Sequence, residues 1–274
     1  MRFFVHMSLL VILVWMSQAT LVRTQAAGQA TNSQVYEKFR EWVSKQPPGG
    51  SDAEIMDRYR TLLREERLSA AEIERQIKVI DEQGQQLEIE RWNAILTAPS
   101  PQFNTKPNQF LVDMTRGVRP GKALDVGMGQ GRNALYLAQQ HWDVTGFDPA
   151  ARAVAAAEQE AKRLGVKITT VVQRDDQFDF GTNRWDLVVL SYVTARQLVP
   201  AVYQSLKPGG LVVLEAFHRD ATRTRSIGSG VVYDSNELLR LFNQFRIVRY
   251  EDAEGDADFG IATLRLVRLC AQKP

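Results

Sequence analysis

The chain has 274 residues, of which 44% are hydrophobic and 24% are charged. These proportions are near the average for globular proteins, which excludes wholesale disorder and a protein built from many membrane spans. A formal net charge of +2 gives no electrostatic basis for gripping many phosphates, so no nucleic-acid partner is expected. The length fits one domain of ordinary size, with or without a smaller extension.

Cysteine and histidine are too scarce to indicate a metal centre. Cys270 is the single cysteine, which excludes an intramolecular disulfide and a thiolate cluster. The apolar residues around it in the sequence favour a buried core thiol. The histidines are His6, His141 and His218, which lie too far apart to form a metal motif, and no metal is predicted.

Residues 1–25 predict a secretory signal peptide or a signal anchor. A basic residue precedes an apolar stretch over 3–16, and small residues at 17–19 follow at the spacing of a cleavage site. The apolar stretch is short for a membrane span. A cleaved signal, a retained anchor and a later start at Met7 or Met16 all fit this pattern. Membrane contact is expected only through this segment, if it is retained.

The next part of the chain predicts helices. Residues 26–50 predict a linker that carries one short amphipathic helix over 35–44. Residues 51–100 predict a small helical subdomain, because Ser69 and Glu72 fit a capping box and apolar residues recur at helical spacing after it. A helical hairpin packed on the main domain or on a second subunit fits this region, and so does a lid over a substrate.

From residue 101 to residue 274, short apolar segments alternate with helical ones, which predicts a parallel sheet covered on both faces. The candidate strands are Ala123 to Val126, Val144 to Phe147, Ile168 to Val172, Leu187 to Leu190 and Leu211 to Ala216, and helices are predicted after Gly131, Ala150, Val199 and Ser235. Two further strands, over 245–250 and 261–270, have only an acidic loop over 251–260 between them. They should therefore pair antiparallel.

The first candidate strand runs into a glycine-rich turn and then into a helix. The turn reads D-V-G-M-G-Q-G from Asp125 to Gly131. Glycine tolerates positive φ and close approach to a ligand, and the helix start offers free amides, so the turn predicts a nucleotide-like ligand. The dinucleotide fingerprint G-x-G-x-x-G would have its third glycine where Arg132 stands, which disfavours a nicotinamide enzyme.

The segment from Asp125 to Gly131 resembles motif I of the class I S-adenosylmethionine-dependent methyltransferases. Its continuation to Leu137 is similar to the tellurite-resistance and thiopurine-like branch of small-molecule methyltransferases. The resemblance covers roughly 103–217 and does not extend to residues 1–100. It implies an α/β fold with a doubly wound, mostly parallel seven-stranded sheet that ends in an antiparallel hairpin, and the helical pattern of residues 51–100 places a small α-helical region before that fold. It also implies S-adenosylmethionine as the cofactor.

The same resemblance implies a set of cofactor-binding residues. They are Asp125, Gly127, Met128, Gly129, Gly131, Arg132, Asn133, Asp148, Pro149, Asp175, Asp176 and Ser191. Asp148 ends the second strand, where a carboxylate accepts hydrogen bonds from the ribose hydroxyls. Asp175 and Asp176 stand where the family places an acidic residue near the adenine, although turn carboxylates are an alternative. Arg132 and Asn133 would meet the carboxylate of the cofactor, with a surface arginine as the alternative for Arg132.

Methyl transfer depends mainly on alignment, and it needs a general base only when the acceptor starts protonated. The catalytic residues are therefore not assigned, and the substrate-facing candidates are Tyr192, His218 and Arg219. His218 fits either a base or a hydrogen-bonded loop histidine. The loop that carries Arg219, Arg223 and Arg225 fits either recognition of an anionic acceptor through arginine forks or a solvated crossover.

The sequence thus predicts an enzyme that transfers a methyl group from S-adenosylmethionine to a small-molecule acceptor, with an anionic acceptor as one option. The alternative is a non-catalytic module that binds S-adenosylmethionine or a partner through the methyltransferase fold. Two indications about the cellular location of the protein conflict. The N-terminal segment indicates export or membrane anchoring, whereas the methyl donor is kept in the cytoplasm.

Overall fold

A computed structural model describes residues 29–46, 52–225, 227–260 and 262–274. The predicted signal peptide or anchor lies outside these residues and stays a prediction. None of the helices in the described ranges combines the length and the apolar character that crossing a bilayer requires.

Helices and strands follow the predicted order. The helices are α1 Asn32–Ser44, α2 Asp52–Glu65, α3 Ala70–Leu96, α4 Gln109–Thr115, α5 Arg132–Gln139, α6 Ala151–Leu164, α7 Val199–Ser205 and α8 Glu237–Leu241. The strands are β1 Lys122–Val126, β2 Asp143–Asp148, β3 Thr169–Val172, β4 Trp185–Ser191, β5 Leu206–His218, β6 Val232–Tyr233, β7 Arg246–Asp256 and β8 Thr263–Gln272.

The first three helices pack together around an apolar core that includes Tyr59, Leu63 and Ile77. The start of α3 is capped because the Ser69 hydroxyl accepts a hydrogen bond from the backbone N–H of Glu72 at 3.2 Å. Glu72 does not complete the predicted reciprocal box. Its carboxylate accepts hydrogen bonds from the side chains of Arg75 and Gln76 instead.

Helix α3 extends beyond this helical core and packs on the sheet domain. Near its end, the Asn93 side-chain oxygen accepts a hydrogen bond from the backbone N–H of Arg152 at 2.8 Å, at the start of α6. Leu96, in its last turn, packs with Ala150 and Ala153. A single helix of 27 residues therefore joins the two parts of the chain, and the predicted division at residue 100 stays a prediction.

The sheet has the strand order β3-β2-β1-β4-β5-β8-β7. Strands β1 to β5 pair in parallel, whereas β8 pairs antiparallel with both β5 and β7. This confirms the predicted α/β class, the mostly parallel sheet and the closing hairpin. An eighth strand, the two-residue β6, was not predicted and pairs in parallel with the end of β5.

The closing hairpin is longer than its sequence indicated. Strand β7 continues to Asp256, so most of the predicted acidic loop is strand. The acidic residues can form a strand here because basic residues on the neighbouring strand of the hairpin pair with them. Asp252 pairs with Arg265 at 2.7 Å, and Glu251 pairs with Arg268 at 3.1 Å.

Candidate functional site

The described residues enclose a cavity of about 360 Å³ at the carboxyl ends of β1, β2 and β4. The order of the strands reverses between β1 and β4, and open α/β sheets bind ligands at such a switch point. Nine of the residues predicted to bind the cofactor line this cavity, namely Gly127, Met128, Gly129, Arg132, Asn133, Asp148, Pro149, Asp175 and Ser191.

The glycine turn after β1 needs glycine for two physical reasons. Gly127 has a φ of 62°, and a Cβ there would lie 2.6 Å from the Val193 side chain. Gly131 has a φ of 80° and begins α5, where a Cβ would lie 2.8 Å from the Cβ of Ala157. The turn therefore packs its backbone closely against Val193, just after β4, and against α6.

Asp148 connects the glycine turn to the start of α6. Its carboxylate accepts hydrogen bonds from the backbone N–H groups of Gly129 at 2.9 Å and of Ala150 at 2.8 Å. The side chain is buried, and this burial raises the pKa of Asp148 above its usual value, although the two hydrogen bonds oppose the shift. Each carboxylate oxygen keeps accepting capacity that a ligand hydroxyl could use.

Asp125, Gly131 and Asp176 lie outside the cavity lining. The Asp125 carboxylate sits behind the turn and accepts a hydrogen bond from the backbone N–H of Ala134 at 3.0 Å, so it holds the first turn of α5. Burial raises the pKa of Asp125 to about 7, against the opposing effect of Arg132. Asp176 is exposed and pairs with Arg174 at 2.6 Å.

Arg132 is a buried ion-pair residue and not a surface arginine. Its guanidinium lies 2.7 Å from the Asp258 carboxylate, and the two side chains are 9% and 7% exposed. It also donates hydrogen bonds to the Ser191 hydroxyl and to the Lys106 carbonyl, each at 3.1 Å. The arginine thereby ties the start of α5 to β4, to the segment before α4 and to the tip of the closing hairpin.

A buried polar network surrounds this ion pair. The Asn108 side-chain amide donates hydrogen bonds to Glu215 and to Asp258, both at 2.7 Å. The Tyr192 hydroxyl donates to Glu215 at 2.7 Å and accepts from the backbone N–H of Asp258 at 3.1 Å. The Glu215 carboxylate also pairs with Arg268 at 2.5 Å. The segment over 103–108, which precedes α4, is thus anchored at the wall of the cavity.

Tyr192 lines the cavity with its ring, but its hydroxyl is already engaged. Burial, and then the negative charges of Glu215 and Asp258, raise the pKa of Tyr192 well above its usual value. Its φ of 57° is uncommon for a residue with a large side chain, and such conformations concentrate at functional sites. Tyr192 therefore forms part of the cavity wall. Its hydroxyl keeps its proton near neutral pH and acts neither as an acid nor as a base.

The other two substrate-facing candidates lie away from the cavity. His218 Nδ1 accepts a hydrogen bond from the backbone N–H of Asp220 at 3.0 Å, and Nε2 lies 3.1 Å from the Ser235 hydroxyl. This is the arrangement of a hydrogen-bonded structural histidine. Arg219 pairs with Asp234, and none of the arginines at 219, 223 and 225 lines the cavity.

A lid over a substrate was one option for residues 51–100, but the residues of α3 and of the hairpin tip that line the cavity were not identified from the sequence. Helix α3 presents Gln85, Glu88, Ile89, Trp92 and Leu96 to the cavity. Their spacing of three or four residues marks one helical face, which the sequence did display. Phe259, at the hairpin tip, packs on Trp92 with ring centroids 5.8 Å apart. No local pattern could have placed that residue, because its position depends on tertiary packing.

Comparisons with known proteins agree with this geometry. Residues 123–210 match the family described as methyltransferase domain. The chain is 25% identical over 165 residues to the probable S-adenosyl-L-methionine-dependent methyltransferase TehB of Haemophilus influenzae, an alignment that covers 57% of each protein. The crystal structure of TehB superimposes with a TM-score of 0.53 at 20% identity, over 61% of this chain and 62% of TehB.

A second solved structure shares the fold. It is the N-methyltransferase NodS from Bradyrhizobium japonicum WM9 in complex with S-adenosyl-L-homocysteine, with a TM-score of 0.54 at 21% identity over 68% of this chain and 98% of NodS. The alignment with TehB spans less than two thirds of that protein's length, so it characterises the sheet domain rather than the whole chain. The domain that contains residues 123–210 belongs to the class I S-adenosylmethionine-dependent methyltransferases, in the TehB-like branch.

Proposed function

We propose that this chain transfers a methyl group from S-adenosylmethionine to a small-molecule acceptor. The observation that carries the proposal is the meeting of the glycine turn, Gly127 to Gly129, with the carboxylate of Asp148 in one cavity at the switch point of the sheet. The family match supports a methyltransferase domain, and the cavity supplies the place where donor and acceptor would meet.

The residues of the cavity fit the cofactor by their chemistry. Gly127 lines the cavity and has no side chain, so a ligand can approach its backbone closely. Asp148 offers acceptors for ribose hydroxyls, and Asp175 lies exposed beside it at the end of β3. A volume of about 360 Å³ falls within the range of small-molecule sites.

When bound, S-adenosylmethionine supplies an activated methyl group: the acceptor's lone pair forms the new bond as the sulfur–methyl bond breaks, and the sulfur keeps that bond's electrons. The residues of the chain would hold and align the reactants and exclude water. None of the described lining residues is a histidine, lysine or cysteine, and the Tyr192 hydroxyl is engaged. Catalysis would therefore rest on alignment, and a proton on the acceptor would leave to a carboxylate or to solvent.

Incubation of the purified protein with S-adenosylmethionine and a metabolite extract tests this proposal. Mass spectrometry should detect a compound that has gained a methyl group, together with an equal amount of S-adenosylhomocysteine. Calorimetry with S-adenosylmethionine, S-adenosylhomocysteine and NAD provides the control. Binding of NAD alone would contradict the proposal. Binding of S-adenosylmethionine without turnover across a broad acceptor panel would instead favour the non-catalytic module.

A further inference from the structure

The positive charges of the cavity are already neutralised. Two basic residues line it, Arg132 and Arg174. Arg132 pairs with Asp258 at 2.7 Å, and Arg174 pairs with Asp176 at 2.6 Å. If the carboxylate of the cofactor took the place of Asp258, the guanidinium of Arg132 would still be paired. Among the residues that the structure describes, the lining therefore offers an acceptor no unpaired basic side chain.

The negative charges of the cavity are in excess. Glu88, Asp148 and Asp175 all line it, and none of them pairs with a lysine or arginine in the part of the chain that the structure describes. A cavity lined by one sign of charge attracts ligands of the opposite sign and repels those of its own. Before the cofactor binds, an anionic ligand would meet this repulsion without an unpaired basic side chain among the described lining residues to offset it.

Glu88 lies on the side of the cavity away from the glycine turn. Helix α3 runs outward from that turn, because Leu96 in its last turn lies 3.3 Å from where a Cβ of Gly129 would be. Trp92 comes one turn earlier and packs against Phe259. Glu88 comes one turn earlier again, about 5 Å further along the same face. It is exposed, and no ion pair within the described residues involves it.

Four aromatic side chains, here called the aromatic wall, cluster in the cavity lining, and one of them, Trp92, lies one helical turn from Glu88. The Phe259 ring contacts Trp92, Phe103 and Tyr192 with centroids 5.8, 5.5 and 5.2 Å apart, and all four rings line the cavity. Aromatic faces pack well against flat apolar groups and attract cations. The wall therefore suits an acceptor that has an apolar body and a positive charge.

Arg174 lies at the other end of the cavity. It follows β3, which stands three places from β4 in the sheet, and Tyr192 follows β4. Neighbouring strands are about 4.8 Å apart, so these strand ends are separated by roughly 14 Å. The charge of Arg174 is consequently remote from the aromatic wall. Arg132 lies closer to Tyr192, but its charge is paired with that of Asp258. Glu88 is the charged lining residue beside Trp92 on α3, and it has no ion pair among the described residues.

We propose that the methyl acceptor is an organic cation whose apolar body packs on the aromatic wall while its positive group faces Glu88. This proposal rests on the proposed function, since it concerns the acceptor of the same site. It replaces the option of an anionic acceptor, for which the loop that carries Arg219, Arg223 and Arg225 was the candidate. None of these arginines lines the cavity, and Arg219 and Arg223 pair with Asp234 and Asp220.

Three probes of one shape and different charge test the proposal: 2-phenylethylamine, 2-phenylethanol and phenylacetate. Calorimetry first establishes that S-adenosylhomocysteine binds the full-length protein, and then measures each probe on the saturated complex. The amine should bind most tightly and phenylacetate least. In Glu88→Gln the preference for the amine over the alcohol should fall about two- to fivefold, as expected for a partly exposed ion pair.

Glu90→Gln is the matched control, because Glu90 is exposed on the same helix and does not line the cavity. It should leave the preference unchanged. Tighter binding of phenylacetate than of the amine would overturn the proposal, and so would a preference for the amine that survives Glu88→Gln. Failure of all three probes to bind would overturn the assignment of the aromatic wall. Failure of S-adenosylhomocysteine to bind would instead remove the proposed function itself.

Discussion

The buried carboxyl of Asp125 should make the stability of the protein depend on pH. Burial raises its pKa from 3.8 to about 7, so the folded protein keeps a proton that the unfolded chain releases. At pH values between these two pKa values, the unfolded state binds fewer protons than the folded state. The contribution of Asp125 to the free energy of unfolding is therefore present at low pH and is lost as pH rises from about 4 to about 7.

Asp125→Asn should remove this dependence. The asparagine keeps an acceptor for the Ala134 N–H and carries no charge to bury. The free energy of unfolding of the variant, relative to the natural protein, should rise across this window by at most about 4 kcal/mol, at about 1.4 kcal/mol per pKa unit. Urea unfolding at several pH values measures this, with the exposed Asp143→Asn as the control. Parallel pH curves for Asp125→Asn and the natural protein would contradict it.

The ion pair of Arg132 and Asp258 should be sensitive to loss of one partner. Asp258→Asn would leave the buried guanidinium of Arg132 without its counter-charge. It would also place a donor NH2 group where Asn104 or Asn108 now donates a hydrogen bond to the Asp258 carboxylate. We expect a loss of about 3 kcal/mol in the free energy of unfolding. Removal of a surface pair in Glu160→Gln should change stability little. Equal effects of the two substitutions on the midpoint of urea unfolding would refute the structural role of the buried pair.

Helix α3 carries one glycine, and its substitution tests how the helix is built. A Cβ at Gly84 would meet nothing within 4 Å, so Gly84→Ala should stabilise the protein by about 0.5–1 kcal/mol. Gly131→Ala is the contrasting change, since its φ of 80° and its closeness to Ala157 both oppose a side chain. Thermal unfolding should move in opposite directions for the two variants. A lower melting temperature for Gly84→Ala would contradict the open space described around it.

Elements with a strong local pattern were predictable from the sequence. The apolar runs of β1, β2 and β4 and the glycine turn all emerged with boundaries within a few residues, because each depends on neighbouring residues. Two features depended on distant residues and were not found. The extension of β7 requires Arg265 and Arg268 across the hairpin, and the role of α3 in lining the cavity requires the packing of Trp92 on Phe259.

The candidate site was predictable to a similar extent. Motif spacing placed Asp148 and the glycine turn in one cavity, although it did not reveal that Asp148 also holds two backbone amides. The partner of Arg132 was not predictable, because Asp258 lies more than 120 residues further along the chain. The charges that surround the cavity are brought together only in three dimensions, which is why the sequence offered an anionic acceptor as an option and we propose a cationic one.

At the scale of the whole molecule, α3 links the cavity to the helical core of α1 and α2. Its last turns line the cavity while its first turns pack in that core. Bound S-adenosylhomocysteine should therefore slow amide exchange over 85–96 and in the glycine turn, because ordering of the site suppresses local opening there. Hydrogen exchange with mass spectrometry measures this. Protection confined to α1 and α2 would contradict the assignment of α3 to the site.

The central claim is that the cavity beside Asp148 binds S-adenosylmethionine. The most direct test is calorimetric titration of S-adenosylhomocysteine into the natural protein, Asp148→Ala and Asp143→Ala, which alter the same residue type at opposite ends of β2. Asp148→Ala should lose stability, about 1–3 kcal/mol for each buried amide left without an acceptor, so titration is run well below its unfolding temperature.

We expect at least a tenfold weaker affinity for Asp148→Ala, equivalent to about 1.4 kcal/mol, and an unchanged affinity for Asp143→Ala. Circular dichroism on the same samples verifies that each variant is folded. A folded Asp148→Ala that binds S-adenosylhomocysteine as tightly as the natural protein would contradict binding of the cofactor beside Asp148.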